Sequence, residues 1–395
     1  MPDDHRLFTK PDLKPDLNSA PNSDEMSDHT SAPSRRPSPK ERHMPQDLPD
    51  QTLDAPLREV GREAAPATGD DAGATQTADE DAPPISRDAW HARLDAHGDM
   101  HGYHERLGAR HGALYTEDSE TLLVTFEEAG AIRAHGQPAT LPFGLTVAGR
   151  EGWSQLCLYS EGDTWFRDEA VYAYIDRLID EGFFFEFERV VFYGAGACGY
   201  AACAYSVAAP GAIVVAVQPQ ATLDPAVAEW DSRFLNMRGT DFTSRFGYAP
   251  AMMEAAAQGF ILYDPKVKED AMHAALFTRD GVEKLRCRHF GADLEKVLME
   301  RDMVVPLLRA AGRGTLGRGV FAELWRNRRE HLPYLRRLVV TLENQERYML
   351  SGLVARMALS RRNAPRFRKA LTLAETQLAK SGRHLPAPRT VPSEA

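Results

Sequence analysis

The chain has 395 residues, 43% of them hydrophobic, with 57 acidic and 47 basic side chains and a formal charge of −10. Enough apolar residues are present for a sizeable core, and four cysteines in so long a chain exclude a disulfide-stapled scaffold. Residues 1–86 hold 13 of the 26 prolines, 18 acidic residues and one aromatic, Phe8. Such a segment cannot bury enough apolar surface to offset its ordering entropy, so a disordered acidic tail is expected there.

From residue 87 onward the pattern changes. Residues 90–111 have helical spacing broken by glycines at 98, 102, 108 and 112. Five histidines crowd this stretch, and His97-x-x-x-His101-x-x-His104 has the spacing of metal ligands. The glycines break the helix that would align those rings, so surface or capping histidines and no metal are expected. Residues 122–126 and 155–159 read as strands, 169–181 as an amphipathic helix, and a further strand starts at Val190. Two more strands, 212–217 and 259–263, precede a short helix at 271–277, a last strand at 282–287 and a helix at 292–298. Strands alternating with helices predict an α/β domain, a mostly parallel sheet covered by helices, over residues 87–308. That body carries −13, whereas residues 309–383 carry +12, nearly all of it arginine. Strand signals stop there, and helices at 321–329, 334–344, 348–360 and 366–380 predict a basic α-helical module over 309–385. Residues 386–395 are expected to be disordered. The N-terminus lacks a signal-peptide plan, and the four cysteines show no paired spacing, so a cytoplasmic location with reduced thiols is expected.

The most informative stretch is R-V-V-F-Y-G-A-G-A-C-G-Y-A-A from Arg189, followed by a Pro-Gly break and the run A-I-V-V-A-V from Ala212. No charged side chain occurs between Val190 and Leu223. This is strand, glycine turn, buried helix and parallel strand, and chemistry in α/β proteins gathers at such turns. Gly194-x-Gly196-x-x-Gly199 fits a dinucleotide fingerprint, whose glycines would admit a pyrophosphate near the helix N-terminus. The second strand, however, ends in Gln218-Pro219-Gln220 where an acid should bind the ribose.

Y-G-A-G-A-C-G-Y-A-A from Tyr193 also resembles the Y-G-x-S-x-G-G-Y-A-A nucleophile elbow of α/β-hydrolase-fold proteins, including those associated with bacterial surface polysaccharides. V-Q-P-Q-A-T-L from Val217 is similar to the S-P-Q-T-x-L run of that group, and G-D-T-W-F-R from Gly162 to its D-x-x-x-W-Y segment. E-D-A-M-H-A from Glu269 resembles an acid-x-x-H-A segment, and His289 stands where the catalytic histidine of the group stands. The resemblance covers roughly residues 120–310 and implies the hydrolase fold with the order nucleophile, acid, histidine. It departs at one position: Gly196 occupies the place of the serine, and glycine has no attacking atom. Cys198, with His289 as base and Asp270 as acid, could supply an esterase or acyl hydrolase. Alternatively, Cys198 is a small residue in a tight helix–strand contact and the body is a pseudoenzyme that binds without covalent catalysis. The whole chain further resembles alphaproteobacterial proteins that carry the label phosphoadenosine phosphosulfate reductase, although the S-G-G loop and E-C-G-x-H motif of such reductases are missing.

The combined expectation is a hydrolase-like protein without its nucleophile. It should bind a small anionic or glycan-related ligand or a protein partner, with no cofactor, no membrane and no nucleic acid. Arg233, Arg238 and Arg245 could clamp an anion or form surface salt bridges. The basic helices could dock an acidic surface.

Overall fold

The computed structural model describes residues 85–134 and 140–387. The expected acidic tail lies outside the described residues except for its last two positions, as does all but the start of the expected 386–395 tail.

Eight strands form one sheet in the order β1-β2-β4-β3-β5-β6-β7-β8. They are β1 (Gly102–Leu107), β2 (His111–Thr116), β3 (Thr121–Glu128), β4 (Ser154–Ser160), β5 (Arg189–Ala195), β6 (Ile213–Val217), β7 (Gln258–Tyr263) and β8 (Val282–Arg286). β2 runs antiparallel to β1 and β4, and every other neighbouring pair is parallel. The central strands are buried nearly end to end, which is why they read as uncharged runs and not as alternating ones.

Alternate residues feed two cores. Val124, Phe126, Phe192, Val214 and Ile261 pack with α3 (Glu169–Asp180) and α4 (Ala197–Tyr205); α1 (Arg87–His101) covers Leu114 of β2 and Tyr159 of β4, and α2 (Phe143–Glu151) packs in the second core. Leu123, Val191, Val215, Phe260 and Leu262 face the second core. α5 (Lys268–Leu276) joins β7 to β8, and after the sheet come α6 (Leu294–Glu300), α7 (Val304–Gly312), α8 (Arg318–Leu324), α9 (Leu332–Asn344), α10 (Tyr348–Arg361) and α11 (Pro365–Lys380). Tyr334, Leu335, Val339, Ala355 and Phe367 from α9 to α11 belong to the same buried cluster as Leu285 and Phe290 beside β8. Ion pairs accompany that packing: Arg309 meets Glu151 at 2.6 Å and Arg318 meets Glu283 at 3.1 Å. Among the described residues no helix is long and apolar enough to cross a membrane.

The β1–β2 hairpin departs from the sequence expectation, which continued a broken helix through residue 111. α1 ends at His101, and its histidines and those of the hairpin are not a surface set. His91 and His111 are buried, and the His104 ring is bonded to Asp95 at 2.6 Å and to the Tyr159 hydroxyl at 2.9 Å. Contacts of His91 and His104 with Tyr159 of β4, and of His111 with Thr164 and Phe166, place them inside, a long-range cause that local spacing does not carry. No group of three or more metal-ligating side chains is assembled among the described residues.

Candidate functional site: the glycine turn and its acidic cavity

The turn after β5 is built by close approach. A Cβ added at Gly194 would lie 2.2 Å from the Cys198 carbonyl oxygen, so only glycine lets α4 fold back onto the strand. Gly196 caps α4 at φ +55°, ψ −122°, a conformation L side chains rarely adopt, yet a Cβ there would meet no atom within 4 Å. The Gly196 N–H donates to the Val217 carbonyl at 2.9 Å, tying the turn to β6. The apex therefore keeps a strained backbone and open space, and has no side chain to use it.

Beside the turn lies a cavity of about 730 Å³ at the carboxyl ends of β3 and β5. Its walls are mostly apolar, among them Phe126, Ile132, Phe143 and Met299, and Cys198 opens onto it. Its ionisable groups are Glu127, Glu128, Glu295, Glu300 and Lys296, with the Tyr193 hydroxyl and the Cys198 thiol. Glu127 accepts from the Phe143 and Gly144 N–H groups at 2.7 and 2.9 Å and from the Thr125 hydroxyl at 2.8 Å. It thereby satisfies the N-terminus of α2, where Pro142 has no capping side chain. Burial nevertheless pushes the Glu127 carboxyl up, against those hydrogen bonds. Glu295 accepts from the Tyr193 hydroxyl at 2.9 Å, and burial, with help from the Glu127 charge, raises it as well. Burial, then Glu295 and Glu127, push the Cys198 thiol well above its ordinary range. A thiol surrounded by carboxylates stays protonated at neutral pH and is a poor nucleophile.

His289 lies elsewhere. It lines a second concavity with Asp264, Lys266 and Arg337 and stacks edge-on against Tyr334 at 6.1 Å. Burial lowers its ring, Asp264 opposes that, and Lys266, Arg288 and Arg337 add to it. Asp270 is buried and accepts from Arg233 at 2.6 Å and from the Gln218 amide. Among the described residues no hydrogen bond or ion pair joins Cys198, His289 and Asp270. Gln218 spends its other end accepting from the Leu294 N–H at 3.0 Å, so the residue standing where a ribose-binding acid would stand fixes α6 instead. Arg233 also grips Asp231, which accepts from His273 at 3.0 Å. Arg245 pairs with Asp176, and Arg238 donates to the Glu229 carbonyl. Arg233 and Arg245 thus form ion pairs within the chain, and Arg238 a hydrogen bond to the backbone.

The scaffold is an α/β-hydrolase fold. Its strand order, its antiparallel second strand and the strained turn after β5 establish that. No family model and no curated protein sequence matches the chain. Among solved structures it is similar to the capsule O-acetyltransferase of Neisseria meningitidis serogroup A, at 11% identity over 49% of this chain and 90% of that one, TM-score 0.33. A Pyrobaculum calidifontis esterase matches at 14% identity over 58% and 92% of the two chains, TM-score 0.36. Carboxyl esterase 2 of Tuber melanosporum matches at 13% over 54% and 84%, TM-score 0.34. At these scores the likeness carries no argument of its own.

Sequence reasoning missed Glu127, Glu128, Tyr193 and Glu295. One signal was available: Glu127-Glu128 directly follows the uncharged run 122–126, at the sheet edge where parallel sheets place their sites. Glu295 reaches the cavity only through the path of the chain between β8 and α6, which no local pattern encodes.

Proposed function

We propose that this chain is a non-covalent ligand-binding protein on an α/β-hydrolase scaffold, a pseudoenzyme at its elbow. The observation that carries the reading is the turn itself: Gly196 holds the strained apex geometry without an attacking atom. The nearest thiol, Cys198, faces carboxylates instead of an imidazole. The cavity suits a hydroxyl-rich, partly apolar molecule of the glycan-related kind. Phe143 and Tyr193 offer flat faces, and Glu128 and Glu295 offer acceptors to hydroxyl groups. A small anion fits this cavity poorly, because four carboxylates oppose one lysine. An esterase reading on Cys198, His289 and Asp270 keeps one supporting observation, that Cys198 opens onto the cavity.

Calorimetric titration of the full chain with an acylated alkyl glycoside separates the two. Saturable binding, lost on Met299→Glu, with the ester recovered intact, supports the binding protein. Release of the acyl group at a rate abolished by Cys198→Ala would establish the esterase instead.

A further inference from the structure

Where the end of α6, the start of α9 and the end of α10 meet lies a groove of about 420 Å³. Its floor is apolar: Leu335 and Ala358 are buried there, with Leu332 and Pro333 beside them. Its rim is basic. Arg301, Arg329, Arg361 and Arg362 line it against a single acid, Glu330. That acid is already taken, because Arg301 meets it at 3.2 Å. Arg301 also donates to the Asn327 side-chain oxygen at 3.0 Å, so its guanidinium is committed within the chain.

Arg329, Arg361 and Arg362 are exposed, and none has a carboxylate partner among the described residues. Other arginines of the C-terminal helices do: Arg309 and Arg313 meet Glu151, Arg318 meets Glu283 and Arg366 meets Glu343. The dipole of α10 favours a cation at its C-terminus, which accounts for Arg361 but not for three guanidiniums about one groove. Arg361 Nη1 donates to the Arg329 carbonyl at 3.1 Å, which ties the end of α10 to the turn before α9 and keeps these charges together. Like charges gathered on one surface cost free energy until a counter-charge joins them. A guanidinium pairs with a carboxylate through two parallel hydrogen bonds, so the complementary partner carries several carboxylates.

The floor narrows that partner further. It suits an aliphatic side chain set among the carboxylates, which a peptide supplies and a nucleic-acid backbone does not. Single-stranded nucleic acids also need aromatic faces for their bases. The one aromatic ring of the lining, His331, is stacked on Phe290 at 5.5 Å. A formal charge of −10 over the chain opposes a long polyanion, whereas a short segment meets chiefly the rim. We propose that this groove docks an acidic peptide segment of a protein partner. Its carboxylates pair with Arg329, Arg361 and Arg362, and an aliphatic side chain between them seats on the floor. The site is independent of the elbow reading.

The test is fluorescence anisotropy of the full chain with a fluorescein-labelled Asp-Glu-Leu-Glu-Asp peptide, at an ionic strength of about 0.05 M to limit screening. Saturable binding is expected, weaker by about ten-fold or more for Asn-Gln-Leu-Gln-Asn and for Asp-Glu-Gly-Glu-Asp carrying the same label. Arg329→Ala combined with Arg362→Ala should weaken it by about ten-fold or more. Arg347→Ala combined with Arg368→Ala removes the same charge from exposed sites outside the groove, and should change binding by less than about two-fold. All four arginines lie at the surface, so both double variants should melt as the parent does. Absence of saturable binding, equal loss in the two double variants, or a glycine peptide that binds as well as the leucine one would overturn the assignment. So would tighter binding of a labelled oligodeoxythymidylate of equal charge.

Discussion

Replacing Gly194 by alanine tests how tightly α4 is pressed onto β5. The new Cβ would lie 2.2 Å from the Cys198 carbonyl oxygen, 2.4 Å from its carbonyl carbon and 2.9 Å from the Gly199 nitrogen. All three are backbone atoms, so no side-chain rotation relieves the clash. Carbon atoms in contact keep about 3.5–4.0 Å apart, so the first turn of α4 must retreat by roughly 1 Å. Seven of the nine α4 residues are buried, and the retreat is transmitted to them. Overpacking costs about 1–3 kcal/mol, and an immovable obstacle places this case near the upper end, about 3 kcal/mol. At about 2–4 °C per kcal/mol for chains of 150–250 residues, Tm should fall by roughly 6 °C or more. Urea denaturation followed by far-UV circular dichroism gives the free energy, with Gly149→Ala as control. Gly149 lies exposed in α2 with no atom within 4 Å of an added Cβ, so alanine there should stabilise by about 0.5–1 kcal/mol. A Gly194→Ala protein within about 0.5 kcal/mol of the parent would refute the close approach on which the turn is built.

Two further outcomes follow from the same geometry. Gly196→Ser should fold, since its Cβ meets open space, but lose about 1–3 kcal/mol to the left-handed backbone; its hydrolysis of p-nitrophenyl acetate should stay at the parent's level, and a clear rise would show that a base does reach the apex. Glu295 has a folded-state pKa above its ordinary 4.5, so as pH rises through 4.5 the unfolded chain loses its proton first and the fold loses stability until the folded carboxyl ionises too. Glu295→Gln should therefore gain stability relative to the parent as pH rises from about 4 to about 8, in paired urea midpoints; a pH-independent difference would contradict the burial described.

Much of the fold was legible because burial on both faces of the sheet leaves a plain mark: β4, β6 and β7, and β5 from Val190 onward, are uncharged runs closed by glycine, proline or polar residues. α9 and α11 were legible for a different reason, prolines at their first turns and apolar spacing along one face. β1 was not, since G-Y-H-E-R-L carries no strand run, and its place follows from pairing Tyr103 with Tyr115 and Glu105 with Ala113 on β2. At the site, the glycine turn was readable because close approach demands particular residues at particular spacings. The acids around it were not, because Glu127 and Glu295 are 168 positions apart in sequence and meet only where separate loops converge. His91 posed the same problem, as burial by Tyr159 of β4 is a tertiary event.

The proposed pseudoenzyme forms no covalent bond with an acyl group at its elbow. Intact-mass analysis of the full chain after exposure to an activated acyl ester at neutral pH measures that directly. An unmodified Cys198, with the mass spectrum of the parent matching that of Cys198→Ala, is the predicted result. An acyl adduct on Cys198 that appears, turns over and vanishes in Cys198→Ala would contradict it.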